Sequence, residues 1–323
     1  MRRAKVYRYS LPMDAGVVLR NQRLNTREGL LVQLWHNHRS GWGEIAPLPG
    51  FSPESLEQAQ LALLPLLDRW QRGEAFPDCV LPSVDFGVSC ALAEIDGSLP
   101  APFDTRRAVM CHGDPDELLF QLNALADGKL GKVKVGLYEA VGDGLNVSSM
   151  LEAIPDLKLR LDANRSWSPD RAAAFARYLC AEQRRRICFI EEPCHTPQQS
   201  LEFADATGIA IAWDESLREA GFMLQRQSGV AAIIVKPTLT GSIDVCRRQI
   251  AEAQSLGIQV VISSSLESSL GLSQLARLSR WLLPDSTPGL DTLHLMQAQL
   301  MRPWPGSTLP LITADALEVI WQQ

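Results

Sequence analysis

The sequence predicts an α/β protein, a (β/α)8-type, TIM-like barrel joined to a smaller α+β domain, and three observations lead there. From about residue 107, short β-branched or apolar runs end in polar residues, and each is followed by an amphipathic stretch. The run-end markers Lys134, Asp162, Glu191, Asp214, Lys236 and Ser263 are spaced by 28, 29, 23, 22 and 27 residues, about one strand plus one helix. Both ends of the chain lack this repeat.

Taken in order, residues 4–13 and 29–36 read as strands, and GWGEIAPLPGFS (41–52) as a glycine- and proline-rich passage. Apolar residues then recur at helical spacing over 53–73, and a second helix is expected over 84–99, so residues 1–100 read as an α+β unit. Seven strands follow in AVMCHGD, KVKVG, LRLDANRSW, ICFIEEP, IAWDES, AAIIVKPT and VVISSSLESS, with an eighth unit placed near PGLDTLHL (288–295). Segment 296–323 loses the repeat and is expected to pack back on the N-terminal unit. The expected domains are therefore 1–100 completed by 296–323, and a barrel over 101–295. An open doubly wound sheet is the alternative, but its G-x-G-x-x-G turn is missing; GDGLNV lacks the third glycine.

A chain of 323 residues with 46% hydrophobic content buries a sizeable core. Its formal net charge of -6 and the lack of any basic block argue against nucleic acid as a partner. The charged and proline-interrupted start shows no export signal, and runs such as LALLPLL fall far short of the roughly 20 residues that span a bilayer. Seven cysteines, at 79, 90, 111, 180, 188, 194 and 246, form no C-x-x-C pair. A soluble, cytoplasmic protein with reduced thiols is expected.

Function is read from the strand ends. Alternation puts Arg160, Asp162 and Asn164 on one face of LRLDAN, while Glu191 and Asp214 end the next two strands. Each carboxylate alone is readily explained as a charge at the start of the following helix. Three on consecutive strands would repel one another unless a cation joined them or some were protonated, and a hard divalent metal, Mg²⁺, resolves the problem.

Two lysines one residue apart in GKVKVGLY are costly for an apolar strand. Lys132 and Lys134 share a face, and taken alone they read equally well as guards of an exposed edge. In a ring of eight strands, however, KVKVG is the second and IIVKP the sixth, so Lys134 and Lys236 are expected to face one another across a substrate. Such a pair beside a carboxylate-held metal suits removal of a proton α to a carboxylate. The base must be neutral to act. Moving a lysine from about 10.4 to about 7 requires roughly 5 kcal/mol against its charged form, for which burial, a divalent cation and a neighbouring ammonium are available.

The runs KVKVG, LRLDANRSW, FIEEP, AWDES, IIVKPTLTGS and VISSSLESSLG, in this order and spacing, resemble the enolase superfamily, specifically its muconate-lactonizing-like group. The likeness extends to PMDAGVVLR, GWGEIAPLPGFS, FGVSCALAE, PGLDTLHLMQAQ and WPGSTLP, nearly the whole chain. The resemblance implies an enolase-like modified barrel with an α+β capping domain, and one Mg²⁺, replaceable by Mn²⁺, on Asp162, Glu191 and Asp214. It also implies the branch that dehydrates 2-succinyl-6-hydroxy-2,4-cyclohexadiene-1-carboxylate to 2-succinylbenzoate for menaquinone synthesis. Lys134 would then remove the α proton and assist hydroxide departure on the same face, with Lys236 protonated opposite. A Lys or His base with Mg²⁺ is a general pattern of such sites.

The substrate is expected to be a small dicarboxylate and the protein a monomer. Lys132, Arg160 and Asn164 are candidates for the reacting end, where Arg160 and Asn164 serve equally as supports of metal ligands. Ser263, Ser264 and Ser265 are candidates for the succinyl tail, with helix capping as the competing explanation. Residues 14–20, including Arg20, match a loop that closes over such sites, or an ordinary surface loop.

Cys194 and His195 are adjacent in an extended run and point apart, so they make a poor nucleophile and base. His112 in CHGDP reads as part of a turn. Three rival functions remain: a racemase of N-succinylamino acids or a dipeptide epimerase on the same scaffold, a Schiff-base aldolase using Lys236, and a non-catalytic binding protein. The aldolase leaves the three carboxylates unexplained.

Overall fold

The computed structural model describes residues 1–14, 18–19, 22–77, 81–100, 106–111, 115–125 and 128–323. Arg20, Cys79 and His112 lie outside the described residues, as does part of the 14–20 stretch. The chain divides into two compact units, one of residues 1–106, 235–249 and 262–323, the other of 107–234 and 250–261.

In the first unit, β1 (Arg2–Pro12) is followed by the short antiparallel pair β2 (Val18–Leu19) and β3 (Gln22–Arg23), then β4 (Thr26–His36) and β5 (Arg39–Ile45). The last strand of the chain, β15 (Glu318–Gln322), completes a four-stranded sheet in the order β15-β1-β4-β5. Buried residues of β1 alternate as Ala4 and Val6, then as Tyr7, Tyr9 and Leu11. Its pairing with β4 is unbroken, so both faces of β1 are buried in turn, and the shift between Val6 and Tyr7 is against β15, where Ile320 is the extra residue.

Strand β5 corrects the expectation of an irregular passage from residue 41. Its glycines face a helix at very close range: a Cβ on Gly43 would meet the Gly87 carbonyl oxygen at 1.8 Å, and one on Gly41 the Ala91 oxygen at 2.0 Å. The glycines are there for the approach of α2 (Pro82–Asp96), not to break the strand. Ahead of it, α1 (Leu56–Gln71) starts at a Ser55–Gln58 capping box. Its Leu63, Leu67 and Trp70 join Val6, Val32, Leu34, Val88 and Ile95 in one core.

The second unit carries the repeat. Its strands and helices run β6 (Val109–Cys111), α3 (Pro115–Asn123), β7 (Leu130–Lys134), α4 (Ala140–Ala153), β8 (Lys158–Asp162), α5 (Pro169–Ala176), α6 (Ala181–Arg186), β9 (Ile187–Glu191), α7 (Pro197–Thr207), β10 (Ile211–Trp213) and β11 (Val230–Val235). The chain continues through α8 (Pro237–Thr240) of the first unit, α9 (Ile243–Ser255) and β12 (Gln259–Ile262), and returns to the first unit with α10 (Ser269–Leu282) and the short strands β13 (Gln299–Leu300) and β14 (Leu311–Ile312). Strands β6 to β12 form one seven-stranded sheet in strict sequence order, the βα alternation of a TIM-like barrel.

Two details depart from the expected repeat. After β10 there is only a 3-10 turn, Glu215–Arg218, and the stretch that follows has left-handed glycines at Gly221 and Gly229. The eighth position is a single parallel bridge, Ser263 with Gly289, followed by a 3-10 turn. Among the described residues no helix is long and apolar enough to cross a membrane.

Candidate active site

Register determines which side chains meet. Lys132 lies opposite Arg160, Lys134 opposite Asp162, Asp162 opposite Glu191, and Glu191 opposite Ala212. Since side chains alternate, Lys132, Lys134, Arg160, Asp162, Phe189, Glu191 and Ala212 share one face of the sheet. Below the polar row, that face closes on a cluster of Phe189, Ala212, Ala232, Ile234 and Val261. Leu159, Leu161 and Ile190, on the other face, are buried as well, as expected of parallel strands covered by helices.

Asp162, Glu191 and Asp214 are all buried, Asp214 completely. Lys132 holds two of them together: its Nζ is 2.9 Å from each Glu191 oxygen and 3.2 Å from Asp162 Oδ2. Burial alone would push the Lys132 ammonium toward neutrality, but the charges of Asp162 and Glu191 outweigh it and hold its pKa well above the ordinary lysine value. Lys132 is therefore a fixed cation.

Replacing Lys132 by methionine is expected to destabilise the metal-free protein by about 3 kcal/mol, because two buried carboxylates lose their counter-charge. Urea unfolding at neutral pH measures this. With the folded pKa raised, the stabilisation is complete below the unfolded lysine value of about 10.4 and disappears only as pH rises through the higher folded value.

Lys134 ends β7, is more exposed, and stands 3.6 Å from Asp162 Oδ1. Arg160 is buried with its guanidinium 5.4 Å from the centre of the Phe189 ring, and desolvation lowers its pKa against the opposing charges of Cys188 and Glu191. Asn164 donates its amide N–H to Asp162 Oδ1 at 3.2 Å and its side-chain nitrogen to Glu215 at 3.1 Å. Asp214 accepts from Arg218 at 3.0 Å. Among the described residues no three carboxylate, imidazole or thiol side chains enclose a single cation position. The donor chemistry nonetheless fits a divalent ion: buried hard oxygens on adjacent strand ends already hold a positive charge between them.

Sequence reasoning missed the second acid of EEP. Glu192, fully buried, accepts the backbone N–H groups of Asp214 and Ser216 at 3.0 and 2.7 Å, the Ser216 hydroxyl at 3.0 Å and Arg165 Nε at 2.5 Å. It thereby ties the end of β9 to the end of β10. Asn164, Arg165 and Glu192 all have positive φ, of 43°, 58° and 35°, a conformation that non-glycine residues keep only where surrounding bonds impose it. The doubled acid in EEP was the available signal.

In the first unit, Lys236 follows β11 as the N-cap of α8, and its carbonyl accepts from Leu239 N at 2.8 Å and Thr240 Oγ1 at 3.0 Å. The three serines differ. Ser263 Oγ donates to the Gly289 carbonyl at 3.2 Å and Ser264 Oγ pairs with Thr292 Oγ1 at 2.9 Å, whereas the buried Ser265 hydroxyl has no hydrogen-bond partner among the described residues. None of them caps α10, which Ser268 does. Cys194 is buried, its thiol pushed up to about 11 by desolvation, and His195 Nδ1 binds the Arg165 carbonyl at 2.7 Å, so these neighbours do not pair.

Comparison with known proteins places this arrangement. The model for the MenC N-terminal domain matches residues 1–95, and that for the enolase C-terminal domain-like family matches residues 125–297. The o-succinylbenzoate synthase of Proteus mirabilis (strain HI4320) is 57% identical over 323 residues, covering 100% of both chains. Among solved structures, the o-succinylbenzoate synthase of Thermosynechococcus elongatus BP-1, with Mg in its active site, has a TM-score of 0.71 at 23% identity over 89% of this chain and 92% of that one. The L-Ala-D/L-Glu epimerase of Bacillus subtilis gives the same TM-score, 0.71, at 20% identity over 92% and 91%. The likeness to the two structures shows a shared fold, and the sequence relative separates the activities.

Proposed function

Because the chain belongs to the o-succinylbenzoate synthase family of the enolase superfamily, we propose that Lys134 is the base and acid of its reaction and that Asp162, Glu191 and Asp214 hold the metal. The chain is an enzyme, a lyase of menaquinone biosynthesis that forms 2-succinylbenzoate and water from 2-succinyl-6-hydroxy-2,4-cyclohexadiene-1-carboxylate. It uses a divalent metal. When bound, Mg²⁺ supplies positive charge where negative charge gathers on the substrate carboxylate as the α proton leaves. Mn²⁺, which prefers the same oxygen ligands, is expected to replace it.

The protein's own part is positional. The Lys134 amine takes the proton α to the carboxylate, the electron pair moves into the ring, and the C–O bond breaks on the same face. The proton then leaves Lys134 with the departing hydroxide as water, and the ring becomes aromatic. Lys236 is proposed to stay protonated on the opposite face, since the second and sixth strands of an eight-membered ring stand across from one another. Of the three serines, Ser265 is proposed to bind the succinyl carboxylate, because its buried hydroxyl has no partner among the described residues. Arg160 and Asn164 support the metal ligands rather than touch substrate, Asn164 through its bond to Asp162. We further propose a cytoplasmic monomer with a catalytic barrel over residues 101–295 and a capping domain of 1–100 with 296–323, the 14–20 stretch and Arg20 contributing to closure.

The single observation that carries this reading is the buried row Lys132, Asp162 and Glu191 with Lys134 beside it. Dehydration followed with and without Mg²⁺ tests it, and full activity in EDTA would overturn the metal's role; borohydride trapping on Lys236 together with such activity would favour a Schiff-base aldolase instead. Asp162→Asn is expected to weaken Mg²⁺ binding at least about tenfold in a calorimetric titration; an unchanged titration would remove its assignment as a ligand.

A further inference from the structure

Lys236 and Ser265 stand at consecutive strand ends, and one buried side chain connects the turns behind them. Glu267 is 1% exposed. Its Oε1 accepts the Thr238 hydroxyl at 2.6 Å, and its Oε2 accepts the backbone N–H of Ser265 at 2.6 Å. We propose that Glu267 is a positioning residue that sets Lys236 against Ser265, through the hydroxyl of Thr238 on one side and the Ser265 N–H on the other. The proposal rests on the roles assigned above to Lys236 and Ser265.

The lysine side of this link is stiff. Thr238 is two residues beyond Lys236 in α8, a helix of a single turn whose closing bonds run back to the Lys236 carbonyl from Leu239 N and Thr240 Oγ1. A force on Thr238 is therefore transmitted to the base of the lysine stem. The turn packs on α2, and Glu267 adds a side-chain hydrogen bond to its Thr238.

The serine side is held against its own backbone preference. Leu266, between Ser265 and Glu267, has φ of +60°, a conformation costly for a residue with a Cβ and kept only where its neighbours enforce it. They do so from two directions. The buried guanidinium of Arg27 donates to the Leu266 carbonyl at 2.8 Å and to the Ser265 carbonyl at 3.3 Å, while Glu267 holds the Ser265 N–H.

Helix capping does not account for Glu267. Glu44 already accepts Ser268 N at 2.9 Å, Ser268 Oγ at 2.6 Å and Gly271 N at 2.8 Å, and the Ser268 hydroxyl caps Leu270 N. Glu267 turns away from α10 toward Thr238 and Ser265. Its burial next to Glu44 raises its pKa, mainly by desolvation, so an acid is kept here at a cost that an amide or an apolar side chain would avoid.

Thr238→Val removes only the hydroxyl. It is expected to lower kcat about tenfold, with KM within about twofold and Tm within about 3 °C, because an error of a fraction of an ångström at a catalytic group is felt in the rate. Glu267→Leu, which also frees the Ser265 N–H, is expected to lower kcat at least as far and to raise KM severalfold. Glu267→Gln restores an acceptor for Ser265 and a donor for Thr238 Oγ1, so its kcat should fall less than about threefold. Wild-type kcat in Thr238→Val overturns the proposal, whether or not Glu267→Leu folds, and so does a loss in Glu267→Gln equal to that in Glu267→Leu. Lys236→Ala is measured alongside. If it turns over normally, the role of Lys236 fails; if it is inactive while Thr238→Val is normal, only the coupling through Glu267 fails.

Discussion

Replacing Lys134 by alanine is expected to lower kcat for dehydration by about 10⁴-fold while circular dichroism and Tm stay close to those of the parent. General acid–base catalysis contributes about 10² to 10⁴, and the upper end applies because one amine both removes the α proton and returns it to the leaving hydroxide. No other described lysine replaces it: Lys132 lies in the same strand and on the same face, but its ammonium is committed to Glu191 and Asp162 at 2.9 and 3.2 Å. The fold tolerates the change because the Lys134 side chain is 39% exposed and makes one ion pair, at 3.6 Å. Appearance of the aromatic product, followed by ultraviolet absorbance, is the assay. A rate within tenfold of the parent would contradict the assignment.

Lys236→Ala is expected to cost about 10³-fold in kcat, the size of effect seen when one donor that stabilises developing charge is removed. The lysine is given no proton-transfer step, so the fold loss should be nearly independent of pH between about 6 and 9. Lys236→Arg separates charge from reach: a cation is retained on a longer and planar head, and partial recovery is expected. A racemase would respond differently, since both lysines would then carry protons. Solvent-deuterium exchange of an N-succinylamino acid that disappears in Lys236→Ala in one direction only would point there.

Several parts of the molecule were legible in the residues because the physics that places them is local. Alternation in LRLDAN and KVKVG put Lys132, Lys134, Arg160 and Asp162 on one face, and the register of β7, β8 and β9 keeps them there. Strand β5 was not legible, because Gly41 and Gly43 read as breakers until the backbone of α2 is seen against them. The bulge at Ile320 was equally hidden: it belongs to the pairing of β15 with β1, more than 300 residues away in the chain. The partners of Glu192 and Glu267 were hidden for the same reason, since an acid in a sequence carries no record of which distant N–H or hydroxyl it will accept, although the doubled acid of EEP marked Glu192.

By itself, then, the order of residues determined the βα repeat and the row of charged side chains at the strand ends, because period-two alternation and a strand-plus-helix spacing are properties of neighbouring residues, while the family and the reaction came from the resemblance of its motifs. Tertiary structure alone decided that Lys132 is a cation fixed between Asp162 and Glu191, that Glu192 ties Asp214 to β9, and that Ser265, unlike Ser263 and Ser264, has a hydroxyl without a partner among the described residues. Those outcomes depend on distances of about 3 Å between residues from different strands and turns, and such distances exist only once the hydrophobic faces have closed and water has been excluded from around the charges.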